Sequence, residues 1–162
     1  MNEHIIERDT SKIRNNISAL VISASALVTI AMSEGYVGTA YKDVVGIPTI
    51  GFGETKGVKP GQKTTPPKAL KQLLDSTDSA AEGIKQCITV PISQNEYDAY
   101  LSLSYNIGVG AFCKSTLVDK LNTSDYIGAC HEILKWNRAG GVVQPGLTKR
   151  RYDEYNICMA GE

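Results

Sequence analysis

The chain has 162 residues, with 17 basic and 17 acidic side chains, and hydrophobic residues make up 42% of it. This length and composition indicate one globular domain with a sizeable core, and they exclude a disordered chain, a collagen-like repeat and a multi-span membrane protein. The formal net charge of zero argues against a nucleic-acid-binding domain, for which a basic excess is typical.

The first 33 residues differ from the rest of the chain. A polar lead over residues 1–16 carries three basic and three acidic side chains, and an uncharged run without Gly or Pro follows over residues 17–32. The run predicts a hydrophobic N-terminal helix over residues 17–33, which at ~1.5 Å per residue is slightly short of the ~30 Å hydrocarbon core of a bilayer. Twelve of its sixteen residues are apolar and four are Ser or Thr, so its hold on a membrane would be weak.

Three interpretations of this run compete. The first is a cleaved secretory signal, because Ala31-Met32-Ser33 loosely resembles a small-residue cleavage site. The second is a weak membrane anchor with a cytoplasmic N-terminus, since Lys12 and Arg14 flank the run on that side. The third is a buried helix of a soluble protein.

The remaining sequence predicts a small sheet followed by helices. Short β-prone pieces punctuated by Gly and Pro over residues 41–53 predict an antiparallel hairpin. Ser93 and Glu96 form a capping-box pattern, and Gly140-Gly141 is expected to stop a helix. Helical periodicity predicts helices over residues 67–87, 93–105, 115–121, 124–139 and 145–157. The fold class is therefore α+β, mainly α.

Three residues near the predicted hairpin could carry chemistry. Glu34 ends the N-terminal helix, and Asp43 and Thr49 follow nine and then six residues later. Glycoside hydrolysis needs one carboxylic acid to protonate the leaving oxygen and one carboxylate to handle the water. From spacing alone, solvated surface carboxylates are the more common explanation of such a pair.

A longer pattern makes the assignment specific. The segment from Glu34 to Gly53 resembles the catalytic region of phage-type muramidases, the lysozymes of glycoside hydrolase family 24. The resemblance continues in the family's order at residues 105–117, 136–141 and 145–151. It covers nearly all of residues 34–159 and implies a lysozyme-like fold, with a small sheet and a helical lobe, for a catalytic domain over residues 34–162.

The resemblance implies a role for each of the three residues. Glu34 would be the general acid, Asp43 would orient or deprotonate the attacking water or stabilise oxocarbenium character, and Thr49 would hold that water. The family inverts configuration, so the two carboxyl groups should stand roughly 6.5–9.5 Å apart. The substrate would be the β-1,4 bond between N-acetylmuramic acid and N-acetylglucosamine, with no cofactor. Glu54 departs from the His that many relatives carry there.

Further residues are placed near the sugar by the same resemblance. Tyr105, Asn106 and Ser115 fall at positions that line the glycan cleft, although packing or capping at a helix end explains each of them equally well. Arg150 could approach Glu34 from the last helix, but a solvated arginine is the more common situation.

The apolar N-terminal helix also resembles the signal-anchor-release segment of certain phage endolysins. In such proteins the host secretion machinery exports the enzyme, which stays tethered in the inner membrane with its N-terminus in the cytoplasm and is later released, uncleaved, to the periplasm. The expected partners are therefore peptidoglycan and, through residues 17–33, the bacterial inner membrane. No nucleic acid is expected, and the protein should be a monomer.

Four cysteines, at positions 87, 113, 130 and 158, allow three pairings. One or two disulfides would suit a protein that reaches the periplasm, and buried free thiols are an equal alternative. No pair is spaced as C-x2-C, and His4 and His131 lie far apart, so no metal site is expected.

Two other functions stay open at this point. A lytic transglycosylase would cut the same bond without water and would not need the pair Asp43 and Thr49. A non-catalytic wall-binding or membrane-lysis accessory protein would not need Glu34 either. Residues 112–151 carry seven basic against three acidic side chains, a local excess that could meet the anionic peptide stems of the wall.

Overall fold

The computed structural model describes residues 13–43 and 45–162, so most of the polar lead lies outside the described residues. Helices dominate and surround α3, which is buried along most of its length, while a small hairpin stands beside them. The elements in chain order are α1 (Ala24–Glu34), β1 (Val37–Lys42), β2 (Pro48–Gly51), α2 (Pro66–Ile84), α3 (Gln94–Ile107), α4 (Val109–Cys113), α5 (Thr116–Asn122), α6 (Tyr126–Ile133), β3 (Arg138–Ala139), β4 (Val142–Val143) and α7 (Pro145–Ala160). The predicted α+β class, mainly α, is confirmed.

The prediction of one helix over residues 17–33 is wrong. A 3₁₀ turn covers Ile17–Ala19, the chain then extends, and α1 begins only at Ala24. The side chain of Asn16 accepts the amide of Ser18 at 2.9 Å and so caps the short turn. Within the described ranges, no helix is both long and apolar enough to cross a bilayer.

Contacts with α3 explain where α1 begins. The backbone amide of Ser23 donates to Oδ1 of Asp98 at 3.1 Å, and Nε2 of Gln94 donates to the carbonyl of Val21 at 2.8 Å. Ser23 is also the N-cap of α1, since its hydroxyl accepts the amide of Ala26. Asp98 and Gln94 of α3 hold residues 21–23 extended, and α1 therefore begins only at Ala24.

We expect Asp98→Asn to stabilise the fold at neutral pH by roughly 1 kcal/mol. Burial raises the pKa of Asp98, against the opposing effect of hydrogen bonds from Ser23 and Gln94. A carboxyl group with a raised pKa in the folded state contributes stability below its unfolded pKa of about 4, and this contribution is lost as the pH rises through the folded pKa. The gain of the Asn variant should therefore grow with pH above about 4 and vanish in acid.

Urea unfolding across this pH range measures the effect, because the amide oxygen of Asn can still accept the Ser23 hydrogen bond. Asp78→Asn is the matched control, since Asp78 is exposed on α2 and should change neither stability nor its pH dependence. An Asp98→Asn variant with the pH slope of the original chain would contradict the argument.

The segment before α1 is packed on the helical body. Backbone hydrogen bonds of 2.8 and 2.9 Å join Asn15 and Ile92 in an antiparallel bridge. Arg14 forms ion pairs with the buried Glu96, at 2.9 Å, and with Glu162, and its guanidinium lies 3.7 Å from the centre of the Tyr126 ring. Residues 14–23 are therefore part of the folded domain.

Apolar contacts fix the two halves of the N-terminal segment in different clusters. Ile17 and Leu20 are buried in the main core among the helices. Ile30 and Ala31, on the inner face of α1, pack with Leu73 of α2 in a smaller cluster, against which Phe52 and Tyr105 lie half-buried. This smaller cluster holds the C-terminal end of α1, and with it Glu34, between the hairpin, α2 and α3.

The predicted hairpin is confirmed, with its first strand starting earlier than expected. β1 and β2 are antiparallel, Tyr41 faces Thr49 in the register, and the register shifts between Val37 and Tyr41. Such an irregularity bends a strand and increases its twist. The bend curves the hairpin beside the end of α1.

The helix predicted over residues 124–139 ends at Ile133, so the prediction is wrong for residues 134–139. Instead, β3 and β4 pair with Ala139 opposite Val142. The two residues between them, Gly140 and Gly141, have φ angles of 57° and 80°. A two-residue hairpin turn with both φ values positive strongly favours glycine, which explains why this pair forms a turn between strands.

The four cysteines form two disulfides, Cys87–Cys113 and Cys130–Cys158. Their sequence separations are 26 and 28 residues, and the second bond is fully buried in the main core. Loops of this length correspond to a stabilisation of about 3.5 kcal/mol each in the chain-entropy description. The first disulfide joins the turn after α2 to α4, and the second joins α6 to α7.

Candidate active site

Glu34 is the last residue of α1, and its carboxylate is held from two sides. Nη1 of Arg150, on α7, donates to Oε1 of Glu34 at 2.7 Å, and both side chains are largely buried. Gly53 approaches from the hairpin with φ +78°, and a Cβ atom there would lie 2.8 Å from Oε2 of Glu34. Only glycine leaves room for the carboxylate in this position.

Two polar cavities meet at Glu34. One has a volume of about 510 Å³ and runs between the loop after β2, α2 and the end of α3, with Glu54, Ser76 and Tyr105 in its lining. The other, of about 450 Å³, lies toward α7 and is lined by Gln144 and Arg150 among others. Glu34 and Asn106 line both cavities, so together these form a cleft with a carboxyl group near its middle.

Asp43 and Thr49 lie on the hairpin, at either end of the loop between its strands. Oδ1 of Asp43 accepts the backbone amides of Val45 at 3.0 Å and Ile47 at 2.8 Å, so the carboxylate holds the loop closed. Thr49 is buried in β2, and its hydroxyl donates to the carbonyl of Ile47 at 3.0 Å. The two residues share one loop, while Glu34 lies at the base of the same hairpin. Unlike Glu34, neither Asp43 nor Thr49 is among the residues that line the two cavities.

Tyr105 and Asn106 lie in the last turn of α3 and line the cleft, and their contact with a sugar stays a prediction. The Tyr105 hydroxyl donates to the carbonyl of Phe52 at 3.4 Å and so connects α3 with the hairpin. Burial raises the pKa of Tyr105, and the negative charges of Glu34 and Glu54 raise it further, so the phenol stays protonated at neutral pH. The side chain of Asn106 is exposed.

Ser115 has a local structural role. It is the N-cap of α5, where its hydroxyl donates to the carbonyl of Phe112 at 2.6 Å and accepts the amide of Val118 at 3.4 Å. It is buried and is not among the residues that line the two cavities. Its contact with a sugar stays a prediction.

The ion pair between Arg150 and Glu34 belongs to a buried network on α7. Nε of Arg150 donates to Oε1 of Glu154 at 3.3 Å, and the same oxygen accepts Nη2 of Arg151 at 3.0 Å and the hydroxyl of Ser102 at 2.7 Å. Arg151 and Glu154 are essentially inaccessible to solvent. Glu154 thus orients the arginine that contacts Glu34, a role that sequence spacing did not reveal.

Comparison with known proteins identifies the family. The model of the phage lysozyme family matches residues 31–154, which is most of the chain and includes the whole cleft. The chain belongs to the phage lysozyme family. Endolysins of this family are muramidases that hydrolyse peptidoglycan, so the prediction of a lysozyme-type hydrolase is confirmed at the level of the family.

Individual relatives agree with this assignment. The chain is 33% identical to the solved endolysin from Escherichia coli O157:H7 phage FAHEc1, with a TM-score of 0.81, and the match covers 93% of this chain and 98% of that one. It is 32% identical to the SAR-endolysin of bacteriophage PS119 over 93% of this chain and 96% of the relative. The endolysin of Bacillus phage B103 is 38% identical over 87% of this chain, but the chain covers only 55% of its length. The lysozyme-like fold, mainly helical with small antiparallel sheets, is confirmed.

Glu54, which departs from the expected lysozyme pattern, has several hydrogen bonds in the cleft. Its Oε1 accepts the amides of Thr55 at 2.9 Å and Lys56 at 2.7 Å, and its Oε2 accepts the hydroxyl of Ser76 at 2.6 Å. The carboxylate therefore ties the loop after β2 to α2 and sets the width of the cleft there.

No metal is needed to explain the arrangement of these lysozyme residues. Among the residues that the structure describes, no group of three or more His, Cys, Asp or Glu side chains is placed to hold a metal ion. The polar groups at Glu34 are an arginine, a tyrosine and an asparagine, which suit a neutral saccharide and a transferring proton.

Proposed function

We propose that the chain is an endolysin that hydrolyses the β-1,4 bond between N-acetylmuramic acid and N-acetylglucosamine with inversion of configuration. The observation that carries this proposal is the position of Glu34 where the two polar cavities meet. A glycan strand lying along the cleft would occupy both cavities, and the bond between the two occupied halves would lie over the Glu34 carboxyl group.

Because Arg150 donates to Oε1 of Glu34, the proton of the acid is held on Oε2. Glu34 donates this proton to the glycosidic oxygen as the C1–O bond breaks, and water forms the new bond to C1. The hydroxyl proton of Thr49 is committed to the carbonyl of Ile47, so its oxygen can accept a hydrogen from that water. Asp43 accepts the other hydrogen and removes it as the new bond forms. The inverting mechanism requires the carboxyl groups of Glu34 and Asp43 to stand roughly 6.5–9.5 Å apart.

Tyr105 and Asn106 are proposed as sugar contacts. The Asn106 amide is exposed between the two cavities and can both donate and accept hydrogen bonds. Tyr105 keeps its proton because its pKa is raised, and it offers an aromatic edge beside Glu34. Ser115 is a weaker candidate, since both hydrogen-bonding functions of its hydroxyl are used in capping α5.

The products of wall digestion test the reaction. We expect purified protein to release muropeptides with a reducing N-acetylmuramic acid end that carries heavy oxygen when the reaction runs in heavy-oxygen water. Proton NMR at early times should show the α-anomer, because inversion of a β bond gives α. A 1,6-anhydro product without the label would establish a lytic transglycosylase, and an early β-anomer would exclude inversion.

We also propose that residues 17–33 serve as a releasable membrane anchor. Support comes from the uncharged run at residues 17–32 and from SAR-endolysin relatives such as that of bacteriophage PS119. The host secretion machinery would export the chain to the periplasmic face of the inner membrane, and release would deliver a monomer to the periplasm, where peptidoglycan is its partner and nucleic acid is not.

Release would complete the active site. While residues 17–33 lie in a membrane, α1 lacks its contacts with Asp98 and Leu73, so Glu34 has no defined position. Arg14 would then lie on the cytoplasmic side, away from Glu96 and Glu162. A cleaved signal is disfavoured, since cleavage before Glu34 would remove helix α1 and the buried side chains of Ile17 and Ile30.

A double variant, Ser18→Leu/Ser25→Leu, tests the anchor. Both serines are exposed, so the change makes the segment more apolar without disturbing the core. We expect the variant to stay with the membrane fraction and to abolish lysis from within, while the refolded protein digests isolated walls normally. Thr123→Leu/Asn156→Leu, at exposed positions elsewhere, is the control. Normal lysis by the serine variant, or a processed chain beginning near Glu34, would overturn the anchor proposal and leave the hydrolase proposal intact.

A further inference from the structure

An apolar groove lies on the outer side of α1, away from the catalytic cleft. It has a volume of about 790 Å³, larger than either cavity of the cleft, and is formed by α1, the start of the hairpin and α2. Its lining includes Leu27, Val28, Met32, Phe52, Leu70 and Leu74. Among the described residues that line it, only Lys71 is charged.

None of the residues in the described ranges covers the groove. Ile30 and Ala31 bury the inner face of α1, whereas Val28 and Met32 on the other side are 57% and 79% exposed. The uncharged polar residues of α1, Ser25, Thr29 and Ser33, form one stripe, and the hydroxyls of Thr29 and Ser33 donate to carbonyls of the helix itself. The apolar face that carries Val28 and Met32 is a separate surface. Contiguous exposed apolar surface of this kind marks an interaction site in soluble proteins.

Charge around the groove indicates the kind of partner. Residues 37–75 contain six lysines and three acidic residues, and every one of these lysines is exposed. Asp75 pairs with Lys71 at 3.2 Å, and the segment as a whole keeps an excess of three positive charges. Lys71 lies in the groove, Lys68 precedes it on α2, and Lys63 adjoins Thr64, whose carbonyl accepts the hydroxyl of Tyr36 in the groove lining.

We propose that this groove docks the folded protein on the surface of an anionic phospholipid bilayer. Apolar side chains such as Val28, Met32 and Leu74 would enter the acyl boundary, and the lysines around them would meet the anionic headgroups. Glu34 is not among the residues that line the groove, so the cleft stays open to a glycan while the protein is docked. The proposal concerns the folded chain and goes beyond both the hydrolytic reaction and the releasable anchor.

Cosedimentation with vesicles tests the proposal. We expect the full chain to bind vesicles of phosphatidylcholine mixed with phosphatidylglycerol, to bind pure phosphatidylcholine far less, and to lose binding as salt is added. Each lysine near such a surface contributes roughly fivefold to the partition coefficient, so Lys68→Gln/Lys71→Gln should lower it by about 25-fold. Lys149→Gln is the matched control, because Lys149 pairs with Asp153 on α7 as Lys71 pairs with Asp75 on α2.

The apolar contribution is tested by Val28→Thr/Met32→Gln. This variant should lower the partition coefficient at least tenfold while digesting soluble wall fragments at the original rate, since neither residue lies in the cleft. Ile127→Thr/Val142→Gln, at positions 52% and 62% exposed on the other lobe, should bind vesicles normally.

Failure of the original chain to bind anionic vesicles would overturn the proposal. Self-association that Val28→Thr/Met32→Gln abolishes would assign the groove to a second copy instead, and neither result would affect the hydrolase assignment.

Discussion

Glu34→Gln is expected to lower the rate of wall hydrolysis by roughly 10²- to 10⁴-fold, the usual contribution of a general acid. Glutamine has the same shape as glutamic acid and fits beside Gly53, and its amide oxygen can still accept Nη1 of Arg150. The variant therefore keeps the shape of the side chain, and it loses both the ability to donate a proton to the glycosidic oxygen and the negative charge that pairs with Arg150. Turbidity loss of purified cell walls, measured with equal amounts of folded protein, gives the rate ratio.

Two comparisons make this result specific. Glu82→Gln removes an exposed carboxylate that pairs with Lys85 on α2, and it should leave the rate unchanged. Thermal unfolding of Glu34→Gln should stay a single cooperative transition, at a temperature lowered only by the loss of the charge pair with Arg150, which would exclude misfolding as the cause. Lytic activity that survives in Glu34→Gln would show that the wall is opened without this acid, as expected of a non-catalytic accessory protein.

Local signals in the sequence predicted much of the helical body. The capping box at Ser93 and Glu96 is formed in both directions, and α2 begins at Pro66, one residue before the predicted start. These features depend on residues a few positions apart, so sequence alone identifies them. The short helix α4 was not predicted, because Gly108 precedes it, Gly110 lies within it, and it has too few residues to show a period.

Long-range contacts explain the errors. The uncharged run at residues 17–32 has the composition of one helix, but Asp98 and Gln94, more than seventy residues away, hold its middle extended. A run of apolar residues does not reveal which of them face a distant carboxylate. Burial of Ile17 in one core cluster and Ile30 in another divides the segment further.

The site itself was predicted in part. A resemblance in sequence located Glu34, and the structure places it in a cleft with Tyr105 and Asn106. The sequence favoured a solvated Arg150, whereas its side chain is largely buried and pairs with Glu34. The position of Arg150 depends on Glu154 and on Ser102, which donates to Glu154. No spacing pattern in the sequence connects these residues to Glu34.

Glu154→Leu is expected to lower the free energy of unfolding by about 3–5 kcal/mol, the usual effect of breaking a buried ion pair. Nε of Arg151 lies 2.7 Å from Oε2 of Glu154, and the variant would leave the guanidinium of Arg151 charged and without this partner. Burial raises the pKa of Glu154 and lowers that of Arg151, so each group is costly to bury alone. Urea unfolding at neutral pH measures the loss.

The double variant Arg151→Met/Glu154→Leu separates charge from packing. Because it leaves no unpaired charge at this place, it should recover most of the stability that Glu154→Leu loses. Equal losses in the two variants would show instead that Glu154 stabilises the fold through its volume. Both variants also remove the acceptor that orients Arg150, so both should digest walls more slowly at temperatures where they are fully folded. A double variant that is stable yet slow would show that Glu154 acts on catalysis through the position of Arg150 beside Glu34.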